Sequence, residues 1–135
     1  MTRFLFTLED AVDTVLDAVD KCEGGEVFIP QINSYDMGTI LKAVGHLHGQ
    51  PFDYEMMGLR PGEKLHEDML AETELPFTYK VDDANLLCVR PQYTNRNHNS
   101  VWQKYLGPHF NSALHTDNNT SGLIQLIYRG QQETQ

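Results

Sequence analysis

The chain has 135 residues, enough for one domain with a real core and too few for two ordinary ones. Nineteen acids against ten bases leave it at a formal charge of -9 with no Lys/Arg run, which argues against a nucleic-acid binder working through phosphate contacts on a basic surface. No apolar run approaches the ~20 residues that span a bilayer, and Met1 is not followed by a basic region, an apolar core and a cleavage site, so the chain reads as cytoplasmic. An anionic ligand would have to be held by a few placed cations, which singles out Arg3, Arg60 and Arg90.

Thr7 and Asp10 form an N-terminal signature ahead of Leu8, Ala11, Val12, Val15, Leu16 and Val19. The spacing predicts an amphipathic helix whose other face, Glu9, Asp13, Asp17 and Asp20, is solvated. Gly24-Gly25 stops it. Glu26-Val-Phe-Ile-Pro30 reads as a short strand. Ser34 is the expected cap of a second helix with Met37, Ile40, Leu41, Val44 and Leu47 inward, ended by Gly49 and Pro51. Cys22, near the end of the first helix, and Cys88 both read as small core residues, since a disulfide framework needs more cysteines in so short a chain.

From Tyr54 to Leu70 the pattern predicts a strand ending at Leu59, a tight turn over Arg60-Pro61-Gly62-Glu63, and a helix carrying Leu65, Met69 and Leu70. A cation at a strand's end, beside the unpaired N–H groups of a helix start, makes an anion site, and phosphate is the commonest anion held that way. Arg60 is the candidate anion ligand. Glu63 cannot face a phosphate, but it can accept hydrogen bonds from sugar hydroxyls. The ordinary reading of the same residues is a well-formed β-to-α turn with a solvated arginine.

Phe77–Lys80 and Asn85–Val89 read as strands. Residues 91–122 form an irregular arm anchored by Trp102, Tyr105, Leu106 and Phe110, and Gly122–Tyr128 is a short terminal helix or strand. Residues 131–135 are expected to fray. The alternation of helix and strand argues for an α/β fold, a small mixed sheet covered by helices. Domain organisation is expected as residues 1–90, an α/β unit, and residues 91–135, the arm and terminal helix on the same domain.

The six histidines do not fall at metal-ligand spacings: His66-Glu67 begins like a zincin helix, but Leu70 stands where the second histidine belongs. There is no GxSxG elbow and no GxGxxG loop, so no catalytic residue and no metal or cofactor ligand is assigned from these residues.

Thr2-Arg-Phe at the N-terminus, Gly24-Gly-Glu-Val-Phe-Ile-Pro30 and Leu59-Arg-Pro-Gly-Glu-Lys-Leu-His-Glu67 come in one order and spacing that resembles a known family. It resembles the C-terminal part of the CapD-like polysaccharide biosynthesis proteins, nucleotide-sugar 4,6-dehydratases and epimerases among the extended short-chain dehydrogenases. Asp117–Ile127 is similar to that family's closing segment. The resemblance implies that Arg3 and Arg60 bind the diphosphate of a UDP-sugar and that Glu63 holds the ribose hydroxyls, with Thr2, Pro30 and Gln31 as lesser neighbours. The family's Rossmann portion and Tyr-x-x-x-Lys pair precede this region and are not in these residues, so NADP is expected on a missing or partner portion. The implied function is the UDP-sugar-binding half of a UDP-N-acetylhexosamine 4,6-dehydratase or 4-epimerase, acting with a Rossmann-domain chain or as a homo-oligomer. The alternative is a free-standing non-catalytic interaction domain or an inactive remnant. A chain starting at Met1 is also expected to leave an apolar face uncovered.

Overall fold

The computed structural model describes residues 1–92 and 101–132. The elements run β1 (Thr2–Phe4), α1 (Leu8–Lys21), β2 (Val27–Pro30), β3 (Ser34–Asp36), α2 (Met37–His48) and β4 (Asp68–Leu70). A 3₁₀ turn (Glu72–Phe77) leads into β5 (Thr78–Lys80), β6 (Leu86–Val89), β7 (Gln103–Lys104), β8 (Phe110–Asn111) and α3 (Thr120–Gln132). The expected α/β class is found. Its strands form three small sheets, ordered β1-β3, β2-β6-β5-β7 and β4-β8. The β1–β3 and β2-β6-β5-β7 pairings are antiparallel.

The chain forms two compact units that interleave along the sequence: residues 1–9, 32–67 and 111–135 in the first, residues 10–31 and 68–110 in the second. In the first unit β1 lies against β3 with Arg3 opposite Tyr35. Helices α2 and α3 pack together around Tyr35, Ala43 and the fully buried Leu123, with Ile40, Ile124 and Ile127 closing over them. The inward face of α2 is thus set by Thr39, Ala43 and Gly45, while Met37, expected inside, is exposed. The terminal segment, ambiguous between helix and strand, is helical.

Ser34 does not cap α2. It lies in β3, fully buried, its hydroxyl donating to the Ser112 carbonyl and its backbone carbonyl accepting from the Asp117 N–H at 2.8 Å. Pairing with β1 carries the extended backbone two residues further, and Asp36 becomes the cap, its carboxylate accepting from the Thr39 N–H at 3.1 Å and from the Thr39 hydroxyl. The helix ends as expected, on Gly49 in the left-handed region at φ 72. The Thr39 hydroxyl, then Thr39 and Gly38 backbone N–H groups, hold the Asp36 carboxyl below its ordinary 3.8. Its contribution is therefore present above pH 3.8 and lost as pH falls through the folded value. Asp36→Ala is expected to cost about 0.5–2 kcal/mol in urea unfolding at pH 7. The gap between the two proteins should narrow below that pH.

In the second unit the central strand β6 is buried along its whole length and pairs with β2 on one side and β5 on the other. Val81, Leu86 and Cys88 form its core, with Phe28 and Trp102 packed against them edge to face, ring centroids 6.1 Å apart. Arg90 stacks over Tyr79 and Trp102 at 4.3 and 5.3 Å from their ring centroids. Phe110 is buried as expected of an anchor of the arm, but Leu106 is solvent-exposed and anchors nothing. Of the residues expected to fray, 133–135 lie outside the described residues.

The two cysteines part company. Cys88 is buried in β6, where desolvation and the neighbouring Glu26 carboxylate push its thiol up to about 12. Cys22 is exposed, which corrects its expected place in the core. One thiol is expected to react with a disulfide reagent in the native protein at pH 8 and the second only on unfolding. Because the folded thiol holds its proton more tightly than the unfolded one, stability should decline as pH rises from 9.0 toward about 12.

Helix α1 forms where the periodicity places it, but its apolar stripe does not face inward. Leu8, Val12, Val15, Leu16 and Val19 are between 50% and 70% exposed. The less exposed side is the stripe of Asp10, Ala11, Thr14 and Ala18, with the Thr14 hydroxyl donating back to the Asp10 carbonyl at 2.7 Å. The helix follows from period, but period alone does not say which element, if any, covers the apolar side.

Candidate functional site

The segment from Tyr54 to Leu70 corrects the sequence expectation. There is no strand ending at Leu59 and no helix beyond the turn; the chain turns at Pro61-Gly62 and next becomes regular at β4. The cause is β1. A helix over residues 64–70 would need the carbonyls of Lys64 and Leu65 for its own bonds. Instead the Thr2 N–H donates to the Leu65 carbonyl at 2.9 Å, and the Arg3 guanidinium donates to the Lys64 carbonyl through Nη2 at 2.9 Å and to the Leu65 carbonyl through Nη1 at 3.4 Å.

The turn itself is closed from both ends. The Glu63 N–H donates to the Arg60 carbonyl at 3.0 Å, and the Glu63 carboxylate accepts from the Arg60 N–H at 3.1 Å. The first is an ordinary i→i+3 turn bond, and the second is the carboxylate half of a helix capping box, used here without a helix. Gly62 supplies the positive φ of 82 that the turn requires. Arg60 and Glu63 are both exposed. Among the described residues the Arg60 guanidinium has no partner, and the second carboxylate oxygen of Glu63 is likewise open.

Arg3 is placed differently. Its Nη1 also donates to the Thr2 carbonyl at 2.7 Å, and its Nε lies 3.6 Å from Glu67 Oε1. Of five N–H donors, one on Nη2 is left over once these contacts are made. Glu67 uses its other oxygen to accept from the Phe4 N–H at 3.0 Å, so β1 is stitched to residues 64–67 along its length. Beneath lies a polar knot. The buried Thr2 hydroxyl shares hydrogen bonds with His66 Nδ1 at 2.8 Å and Ser112 Oγ at 2.6 Å, and Ser112 Oγ accepts from the Glu67 N–H at 2.7 Å.

Thr2, Arg3, Arg60 and Glu63 all belong to the first unit, and Thr2 and Arg3 both contact the segment that the turn begins. Pro30 and Gln31 belong to the second unit, where they extend the β2–β6 ladder: Pro30 opposes Leu86, and the Gln31 N–H donates to the Asn85 carbonyl at 2.9 Å. Arg90 lies there too, on its aromatic rings. The sequence reading missed His66, Glu67 and Ser112 as the turn's support. The family block contains the first two; nothing marks Ser112, which meets Thr2 across 110 positions of chain.

Beside the turn, within the first unit, an apolar cleft of ≈ 420 Å³ is lined by Met37, Leu41, Met56, Met57, Leu59 and Leu65 among others. Its wall reaches Leu59, the residue before Arg60. An apolar cleft whose wall ends one residue before Arg60 can hold a molecule with a flat or apolar part.

The fold is similar to that in the X-ray structure of Pen from Bacillus thuringiensis, with a TM-score of 0.78 and 20% identity over 97% of this chain and 39% of that one. Residues 1–88 match the model of the family described as polysaccharide biosynthesis protein, and the chain belongs to that family. Over 83 residues, 62% of the chain, it is 36% identical to a UDP-N-acetylglucosamine 4,6-dehydratase (inverting) of Campylobacter jejuni subsp. jejuni. Over 83 residues, again 62% of the chain, it is 32% identical to a UDP-glucose 4-epimerase of Rickettsia felis. The aligned part is 24% of each of those proteins, so the chain spans about a quarter of the curated relatives it matches. Among the described residues no helix is long and apolar enough to cross a membrane.

Proposed function

We propose that the Arg60–Glu63 turn is the nucleotide-sugar contact of a UDP-N-acetylhexosamine 4,6-dehydratase or 4-epimerase, with this chain supplying the substrate-binding part. The observation that carries the reading is the unpaired Arg60 guanidinium on a turn held rigid from both sides, next to the apolar cleft. In this reading Arg60 grips the diphosphate, and Arg3 adds its remaining Nη2 hydrogen while holding the turn in place. The open oxygen of Glu63 accepts from ribose hydroxyls. Thr2 supports Arg3 from beneath.

The chemistry at the sugar needs NADP, which supplies hydride transfer when bound. The described residues of this chain do not fit a dinucleotide: Gly24-Gly25, with φ of 119 and 91, close α1 and lead into β2, where a phosphate-binding loop would open a helix. In this reading NADP is held by a separate Rossmann portion.

Calorimetric titration with UDP at low salt tests this. Binding is expected, with Arg60→Ala weakening it by about 10-fold or more, since the lost charge-assisted contacts are worth about 1.5–3 kcal/mol. Unchanged affinity in Arg60→Ala, or no heat at millimolar UDP, would refute it.

A further inference from the structure

The Arg60–Glu63 turn closes on itself, so its place on the molecule has to come from the chain on either side. Residues 51–60 are exposed throughout and have no regular structure. The hold lies after the turn, in residues 64–67. Arg3 and the Thr2 N–H take the Lys64 and Leu65 carbonyls, and Ser112 grips Glu67 through both of its backbone groups. The Ser112 N–H donates to the Glu67 carbonyl at 2.8 Å, and the Glu67 N–H donates to Ser112 Oγ at 2.7 Å.

Ser112 has no exposed surface. Its Oγ already accepts from Glu67, and its single hydrogen is best used on Thr2 Oγ at 2.6 Å, the Thr2 carbonyl being more distant at 3.4 Å. The Thr2 hydrogen then goes to His66 Nδ1 at 2.8 Å. With the His66 proton on Nε2, every bond from the Glu67 N–H through Ser112 and Thr2 to His66 runs in one direction, and each buried hydroxyl donates once and accepts once. The series begins and ends in the segment behind Arg60 and passes through β1, the strand that carries Arg3. Ser112 is seated separately, its carbonyl accepting from the Ser34 hydroxyl and from the Thr116 hydroxyl, the latter at 2.9 Å.

We infer that Ser112 is a positioning residue of the candidate site: without touching the ligand, it sets where Arg60 stands relative to the spare Nη2 hydrogen of Arg3. The inference rests on the nucleotide-sugar reading for its ligand and on the hydrogen-bond series alone for the placement of the turn.

Amide NMR and calorimetric titration with UDP, both on the full chain, test it. Ser112→Ala is expected to weaken UDP binding by about fivefold or more, the equivalent of one lost hydrogen bond, and to shift the Arg60–Leu65 amide signals of the ligand-free protein. Ser34→Ala is the control for a purely structural effect: Ser34 is equally buried, and its hydroxyl bonds the Ser112 carbonyl and none of residues 60–67 among the described residues, so both readouts should stay as in the parent. In an Arg60→Ala background the effect of Ser112→Ala on UDP should largely disappear. Ser112→Cys, close to serine in volume but with sulfur as a weak hydrogen-bonding atom, should show the same two effects and stands in if the alanine variant does not fold. UDP affinity that falls in Arg60→Ala but not in Ser112→Ala overturns this inference alone. Equal losses in Ser112→Ala and Ser34→Ala overturn it too, because they make Ser112 a structural part of the core. No UDP binding by the parent removes the nucleotide-sugar reading; the amide signals then decide, and Arg60–Leu65 signals unmoved in Ser112→Ala overturn the placement.

Discussion

Leu123→Ala is expected to lower the unfolding free energy by about 2–5 kcal/mol, the range for truncating a buried leucine whose surroundings relax only in part. Leu123 has no exposed surface, and it sits where α3 meets α2, against Tyr35 and Ala43. Ala43 is already minimal and Tyr35 is fixed in β3, so neither can swing in to fill the space. The loss is a large fraction of the about 5–15 kcal/mol that holds a domain together. Urea unfolding followed by circular dichroism measures it, with Leu106→Ala as the control: that side chain is 90% exposed and should stay within about 0.5 kcal/mol of the parent. A cost below about 1 kcal/mol for Leu123→Ala would mean that α3 is not packed on α2 as described.

Arg3→Ala and Arg60→Ala should separate two roles that one sequence motif joins. Arg3 donates to three backbone carbonyls and faces Glu67, half-buried, so its removal leaves the Lys64 and Leu65 carbonyls and the Glu67 carboxylate short of partners. The ion pair is partly solvated and adds little; the carbonyl contacts carry most of the expected loss, about 2 kcal/mol. Hydrogen exchange at the Thr2 and Phe4 amides, which donate to Leu65 and Glu67, should quicken by more than about tenfold as the 64–67 segment loosens. Arg60→Ala should leave both stability and exchange unchanged, since its guanidinium holds nothing among the described residues. If Arg60→Ala destabilises the fold as much as Arg3→Ala does, the division of roles is wrong.

Sequence patterns located the elements better than they located the faces. The strands β2, β5 and β6 were legible because β-branched and apolar runs bounded by Pro30, Pro76 and Pro91 have few other uses, and α2 because its stop signal at Gly49 is chemically specific. Ser34 and Asp36 are equally good caps in isolation; the pairing of β3 with β1 chooses between them, and that pairing is not local. The helix expected after Glu63 fails for the same reason, since Arg3, more than sixty positions away, takes the carbonyls it would need. The residues of the turn were readable, Arg60 and Glu63 above all, because Pro61 and Gly62 constrain the backbone whatever follows. The supporting knot was not, because a serine at 112 looks like any loop serine until Thr2 and Glu67 meet it.

The division of the chain into interleaved units sets an order of events during synthesis. Residues 10–31 and 68–110 are all made before the last helix, so the β2-β6-β5-β7 sheet can close before α3 is available. The unit that holds β1 and the Arg60 turn needs Ser112 and Leu123, and so it must wait until those later residues have emerged. Until then β1, made before every strand of that sheet, is among the last to find its permanent neighbours.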